Sequence, residues 1–183
     1  MKKNNIRQLT RNEIPQVWGI DRTELIEKLY VLKEGKLLLS KQRFDMKGWP
    51  EGEAEHYTPV LLESFDRGAP FWGVFEHDRL VAAASVDPKK RGKNGSLLQL
   101  SFLHVSHPQR GQGLARILFD YCVEYAKENG ADGLYISSTP SENSVNFYQH
   151  LGCRLIDIPD PELYEREPED IHMVFYFIKP NNA

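Results

Sequence analysis

Cysteine is almost missing from this chain: 183 residues contain two, Cys122 and Cys153. Two thiols build no disulfide framework, and no Cys-x-x-Cys or His-x-x-x-His spacing points to zinc, so both read as inert core residues. Also missing is any apolar run long enough to span a bilayer. The start, Met1-Lys2-Lys3-Asn4-Asn5, is basic but leads into no apolar core of the kind a secretion signal needs. Internal repeats and low-complexity stretches are absent too. Charge of one sign is not in excess: the net charge of -3 argues against nucleic acid, whose binding rests on a concentrated positive surface. One basic run exists, Lys89-Lys90-Arg91-Gly92-Lys93-Asn94-Gly95 after Pro88, and it reads as a solvated hairpin loop between strands. These absences predict a soluble cytoplasmic protein without nucleic-acid, membrane or metal partners, monomeric or homodimeric.

What is present fits one α/β domain over 1–183, since 40% hydrophobic residues in a chain of this length can bury a good core. Ile6 to Leu9 reads as a first strand, and Thr10 with Glu13 as a capping box for a helix through Ile14, Val17, Trp18 and Ile20. The spacing predicts a second helix over Thr23 to Leu32, then an irregular segment from Gly35 to Tyr57 with a strand-like Lys36 to Leu39 and a turn at Gly48 to Gly52. Thr58 reads as the cap of a helix ending at Gly68. Strands follow at Phe71 to Glu76 and Leu80 to Val86 around a His77-Asp78 turn, and at Leu97 to Val105. Further strands at Leu134 to Ser137 and His172 to Ile178 flank a helix at Asn143 to His150.

The chemistry is concentrated after Val105. An alternating strand stops at Ser106-His107-Pro108, and Leu114, Ile117, Leu118, Tyr121, Cys122 and Tyr125 then recur at helical spacing. Between them lies Arg110-Gly111-Gln112-Gly113-Leu114-Ala115, a glycine-rich turn that delivers unpaired backbone N–H groups at the positive end of a helix. A phosphate-bearing ligand suits that geometry. The Walker spacing fails, because Ala115 and Arg116 follow the glycines and no Gly-Lys pair does, and a dinucleotide fingerprint would want a glycine in place of Arg116.

The hexapeptide resembles the pyrophosphate motif of the GNAT N-acetyltransferases, Arg/Gln-x-x-Gly-x-Gly/Ala, with Arg110, Gly113 and Ala115 at its fixed positions. A second segment, Ser141-Glu142-Asn143-Ser144-Val145-Asn146-Phe147-Tyr148-Gln149-His150-Leu151-Gly152-Cys153, is similar to that family's Asn-x-x-Ala-x-x-Phe-Tyr-x-x-x-Gly-Phe. Phe147, Tyr148, Leu151 and Gly152 match, while Ser141, Ser144 and Cys153 replace Asn, Ala and Phe; the Ser141 hydroxyl can still cap a helix. The resemblance implies a mixed, twisted central sheet of about six to seven strands with helices on both faces, splayed between the fourth and fifth strands (Leu97 to Val105 and Leu134 to Ser137). It implies acetyl-CoA as cofactor, contacted by Leu103, His104, Val105, Arg110, Gly111, Gln112, Gly113, Leu114, Ala115, Arg116, Ser141, Ser144 and Tyr148.

The activity implied is direct transfer of an acetyl group to a primary amine, on a small molecule or a peptide N-terminus, in a ternary complex. Tyr148 would protonate the departing thiolate; by itself, without the motif, a Tyr beside Phe147 in an apolar helix reads more readily as packing. No acid stands at Leu98 to Ser101, so the general base falls to His104 or to Glu53 in the irregular segment, where Glu55 and His56 also lie and Trp49 and Tyr57 can form walls. The missing strand acid and the motif departures leave a second reading open, a non-catalytic acyl-CoA-binding sensor domain.

Overall fold

The computed structural model describes residues 5–177. Strand β1 (Asn5–Gln8) leads into a 3-10 helix at Arg11–Gly19. Its start is secured by the Glu13 carboxylate, which accepts from the Thr10 N–H (2.8 Å) and hydroxyl (2.9 Å). Pro15 has no N–H to give an α-helical bond, which suits the tighter 3-10 winding that still buries Ile14 and Val17.

The predicted helix over Thr23 to Leu32 is instead strand β2 (Glu24–Lys33), paired with β3 (Lys36–Met46) in a two-stranded ribbon. Two facts override the helical spacing. Glu34 and Gly35 both take positive φ (50° and 74°), the signature of a tight hairpin turn. The other edge of β2 is also engaged: Tyr30 N–H donates to the Pro140 carbonyl at 2.7 Å, and Leu29 bridges Ser141. Helix α1 (Glu53–Asp66) begins at Gly52, a turn and a half before the predicted cap. Thr58 is therefore interior, donating its hydroxyl back to the Ala54 carbonyl at 2.5 Å and accepting from Trp18 Nε1 at 2.8 Å. Glu53, Glu55 and His56 consequently sit on a helix, not in an irregular loop. Gly68 (φ 99°) does end this helix, as read.

β4 (Phe71–Glu76) and β5 (Arg79–Arg91) form the expected hairpin around His77 and Asp78. β5 continues well past Val86 and takes in Lys89 to Arg91, so the first three residues of the basic run are strand and only Gly92 to Gly95 turn. β6 (Leu97–Val105), α2 (Leu114–Glu128), β7 (Gly133–Ser138), α3 (Glu142–His150), β8 (Arg154–Leu155), α4 (Pro161–Arg166) and β9 (Ile171–Tyr176) complete the chain. Ile178 and Met1 to Asn4 lie outside the described residues. Seven strands make a mixed sheet in the order β1-β4-β5-β6-β7-β9-β8, with helices on both faces. The helical crossover from β6 through α2 to β7 is the connection that parallel neighbours need.

The chain folds as two compact units whose boundary crosses β5, β6 and α2. The first (residues to 24, 46–88 and 100–125) has a core of Leu9, Ile14, Val17, Ile20, Phe71, Leu80 and Ala83. Within it α2 buries Leu118, Phe119 and Cys122, while Ile117 and Tyr121 from the apolar spacing are exposed. The second unit (25–45, 89–99 and 126 onward) is built on Leu97, Tyr135, Leu163 and Val174.

In the second unit Arg91 is buried, contrary to a solvated loop. Its guanidinium bonds Asp160 Oδ1 at 3.1 Å and both Glu162 oxygens at 3.0 and 3.2 Å, and Lys89 also binds Glu162. A buried cation needs such partners. Arg91 first, then Lys89, holds the Glu162 carboxyl down at about 2. A depressed carboxylate stabilises the fold above its unfolded value, and that contribution is lost as pH falls from about 4.5 to 2. The expected result is that Glu162→Gln lowers the melting temperature at neutral pH and flattens its acid-side decline, read from melting curves over that range. A wild-type decline retained in the variant would remove Glu162 from acid stability.

Candidate active site

In the first unit, the turn after β6 is anchored before it opens. Ser106 is buried; its N–H donates to the Val81 carbonyl (2.8 Å), its hydroxyl accepts from the Asp21 N–H (2.9 Å), and the His107 N–H donates to the Asp21 carbonyl (2.8 Å). A 3-10 turn at His107–Gln109 follows, and then Gly111 (φ 75°) and Gly113 (φ 82°) turn the backbone through left-handed conformations that glycine adopts without steric cost. Ile117 donates to the Gly113 carbonyl at 3.1 Å. The N–H groups of Leu114, Ala115 and Arg116 therefore precede any helical partner. Among the described residues, no backbone carbonyl accepts from Gly111, Gln112 or Gly113 either. A Cβ built on Gly111 or Gly113 meets nothing within 4 Å. Free donors facing open space at a helix start are what a diphosphate requires, so these residues fit the cofactor that the motif implies.

The charged side chains around this turn are occupied locally. Arg110 folds back on the strand end, with Nε on the Val105 carbonyl at 3.2 Å and Nη1 3.4 Å from Glu24. Arg116 pairs with Asp120 at 3.1 Å on the exposed side of α2. Gln112 reaches the Pro108 carbonyl at 3.4 Å. The site geometry is thus carried by main-chain amides.

His104, on β6 between Leu103 and Val105, lies in an aromatic cluster of the same unit. Its ring is 4.8 Å from both Trp49 and Phe102. Trp18 closes on Trp49 at 4.8 Å, and Trp49 is fixed by Nε1 donating to the Ile20 carbonyl at 2.9 Å. Arg22 lies over Trp49 at 4.9 Å and pairs with Glu53 at 3.2 Å. Burial, assisted by the positive charges of Arg22 and Arg110, drives the His104 imidazole down to about 3. It is uncharged at neutral pH and holds protons weakly. Glu53, Trp49 and His104 are thus brought together by packing, whereas Glu55 and His56 are exposed.

In the second unit Ser141 caps α3, accepting from the Ser144 N–H at 3.2 Å and donating its hydroxyl to Ser144 Oγ at 2.9 Å. The Asn-to-Ser replacement keeps the cap, as expected. Tyr148 is half-buried on the same helix, with its ring against Phe147 at 5.1 Å. Neither cysteine offers a nucleophile: both are buried, and burial raises both thiols, Cys153 to about 12.

Residues 38–153 match the sequence profile of the Acetyltransferase (GNAT) family. The chain belongs to the GNAT family. Among curated proteins, this GNAT chain is 33% identical to N-acetyltransferase 8B of Rattus norvegicus over 89 residues, 48% of this chain and 40% of that protein. The match thus spans less than half of that relative. Nourseothricin acetyltransferase superposes with a TM-score of 0.67 at 17% identity, covering 94% of this chain and 98% of the other. PaiA N-acetyltransferase of Thermoplasma acidophilum, solved in complex with coenzyme A, gives a TM-score of 0.62 at 14% identity, covering 96% and 99%. At these identities the likeness is one of fold. Both motifs fall within the profile match. Arg22 escaped sequence reading because it stood at the edge of a predicted helix, and no local signal ties it to Trp49 and Glu53, 27 and 31 positions away.

Proposed function

We propose that this GNAT chain moves an acetyl group from acetyl-CoA directly to a primary amine, on a small molecule or a peptide N-terminus, in the cytoplasm. The observation that carries the reading is the turn of unpaired N–H groups from Gly111 to Arg116 above open space. Acetyl-CoA supplies an activated thioester. Main-chain amides of the turn hold its diphosphate, and the backbone of Leu103 to Val105 aligns the pantetheine arm. By the resemblance of their motif, Ser141 and Ser144 also contact the cofactor.

An alkylammonium must lose a proton before nitrogen attacks the carbonyl carbon. His104 is too weak a base for that task, so it accepts a hydrogen bond from the amine and orients it, while the Glu53 carboxylate takes the proton. The C–S bond breaks as the N–C bond forms, Tyr148 Oη gives its proton to the sulfur, and the second proton of the attacking nitrogen passes through solvent to restore the phenol. The raised thiols of Cys122 and Cys153 support transfer without an acyl-enzyme intermediate. A ligand binding only the folded state raises its stability by about 2.7 kcal/mol at a hundredfold excess over Kd. Acetyl-CoA is therefore expected to raise the melting temperature, and a panel of amines to release thiol. No shift at millimolar acetyl-CoA overturns the cofactor assignment; a shift without turnover on any amine favours the sensor reading that the weak His104 also suits.

A further inference from the structure

Arg22 sits in the aromatic cluster with its hydrogen bonding incomplete. It leaves the chain in a short segment pinned to the head of the cofactor turn by the Asp21–Ser106 and Asp21–His107 bonds, and shaped internally by the Thr23 N–H on Asp21 Oδ1 at 2.9 Å. Its guanidinium is spread on the anchored Trp49 ring. Only Nη1 is engaged, by the two Glu53 oxygens at 3.2 and 3.5 Å. Among the described residues Nε and Nη2 make no hydrogen bond, although the side chain is only 19% exposed. That pair of donors is the edge of an arginine that matches a carboxylate bidentately. The same Trp49 touches His104 at 4.8 Å, on the strand end assigned to the thioester.

We propose that Arg22 recognises a carboxylate on the acceptor, which makes the acceptor an amino acid or another small amine that carries a carboxylate. The inference rests on the transferase reading above and narrows its substrate class. The charge balance favours it. A simple alkylammonium gains nothing from Arg22 and is repelled by it, whereas a zwitterion divides the Arg22–Glu53 pair between its two ends. The acceptor carboxylate takes the guanidinium, and Glu53 is left beside the ammonium whose proton it accepts. No charge is stranded in the exchange.

The test compares the common amino acids with their carboxamides as ligands of the full chain saturated with CoA, by calorimetry, and as acceptors with acetyl-CoA. At least one amino acid is expected to bind about 10–100-fold more tightly than its carboxamide, the worth of hydrogen bonds to a charged group. Arg22→Gln and Arg22→Lys both lose that preference while CoA affinity stays unchanged; the lysine variant keeps the charge but lacks the fork, and melting curves establish that each is folded. Glu53→Gln widens the ratio of acid to carboxamide affinity about threefold, because the lost ammonium partner affects both ligands alike while the internal competitor for Arg22 is gone. Carboxamides bound as well as acids, a preference surviving in both Arg22 variants, a narrower acid-to-carboxamide ratio in Glu53→Gln, or no amino acid bound would each overturn the inference. Acetyl transfer indifferent to the carboxylate keeps the transferase reading and removes this one. Arg22-dependent carboxylate binding without transfer does the reverse.

Discussion

Gly113→Val is expected to weaken acetyl-CoA binding by about 100-fold or more while leaving a folded protein. The backbone at Gly113 has φ 82°, which a β-branched residue adopts only with strain of about 1–3 kcal/mol. Relaxing that strain swings the adjoining N–H groups away from the ligand, and each charge-assisted bond lost is worth about 1.5–3 kcal/mol. Because nothing lies within 4 Å of the added Cβ, no internal clash adds to the cost. Gly130→Val is the matched control: φ is 67°, the space is likewise open, and the site follows α2 at its other end. Both variants should melt somewhat below wild type, and only Gly113→Val should lose the stabilisation by acetyl-CoA in a titration. Equal affinity in Gly113→Val and wild type would remove the turn from cofactor binding.

Tyr148→Phe is expected to slow the acetyl-transfer step by about 10–10³-fold with little change in CoA affinity, since a positioned proton donor acts in the transition state and not on the bound ground state. The ring contact with Phe147 survives the change, so melting should move little. Single-turnover thiol release with an accepted amine reads the chemical step, and a CoA titration reads binding. A structural hydroxyl would give the opposite pattern, with stability lost through its abandoned partner and the rate intact. An unchanged rate takes Tyr148 out of the mechanism.

The two substitutions differ in how their targets became visible. The turn at Arg110 to Ala115 was legible because its function is local: glycines at fixed offsets after a strand and before an amphipathic helix dictate φ angles and free N–H groups wherever the chain is placed. The cap at Ser141 was legible for the same reason, since its bond to the Ser144 N–H spans one turn. Hairpins that turn on a single conformational requirement, such as His77-Asp78, were equally plain.

Where distant partners decide, the sequence misled. Leu25, Ile26, Leu29 and Leu32 have helical spacing, yet Glu24–Lys33 is a strand, because its edges are bonded by β3 and by Pro140, a carbonyl that lies over a hundred positions away. Thr58 carries every mark of a cap, but α1 starts at Gly52 and uses the hydroxyl to hold Trp18. Lys89 to Arg91 looked solvated until Asp160 and Glu162 were brought against them.

By itself, then, the sequence determined the α/β order from Phe71 to His150, the cofactor turn and the capped helix bearing Tyr148, since those follow from backbone preferences spanning a few residues. Tertiary structure alone decided the neighbourhood of His104. Trp18, Arg22, Trp49, Glu53 and Phe102 come from separate segments, and their approach rests on burial of aromatic surface and on one ion pair. Burial and nearby charge are non-local quantities, so the protonation state of His104 and the bonding left open at Arg22 could be read only once the chain had folded.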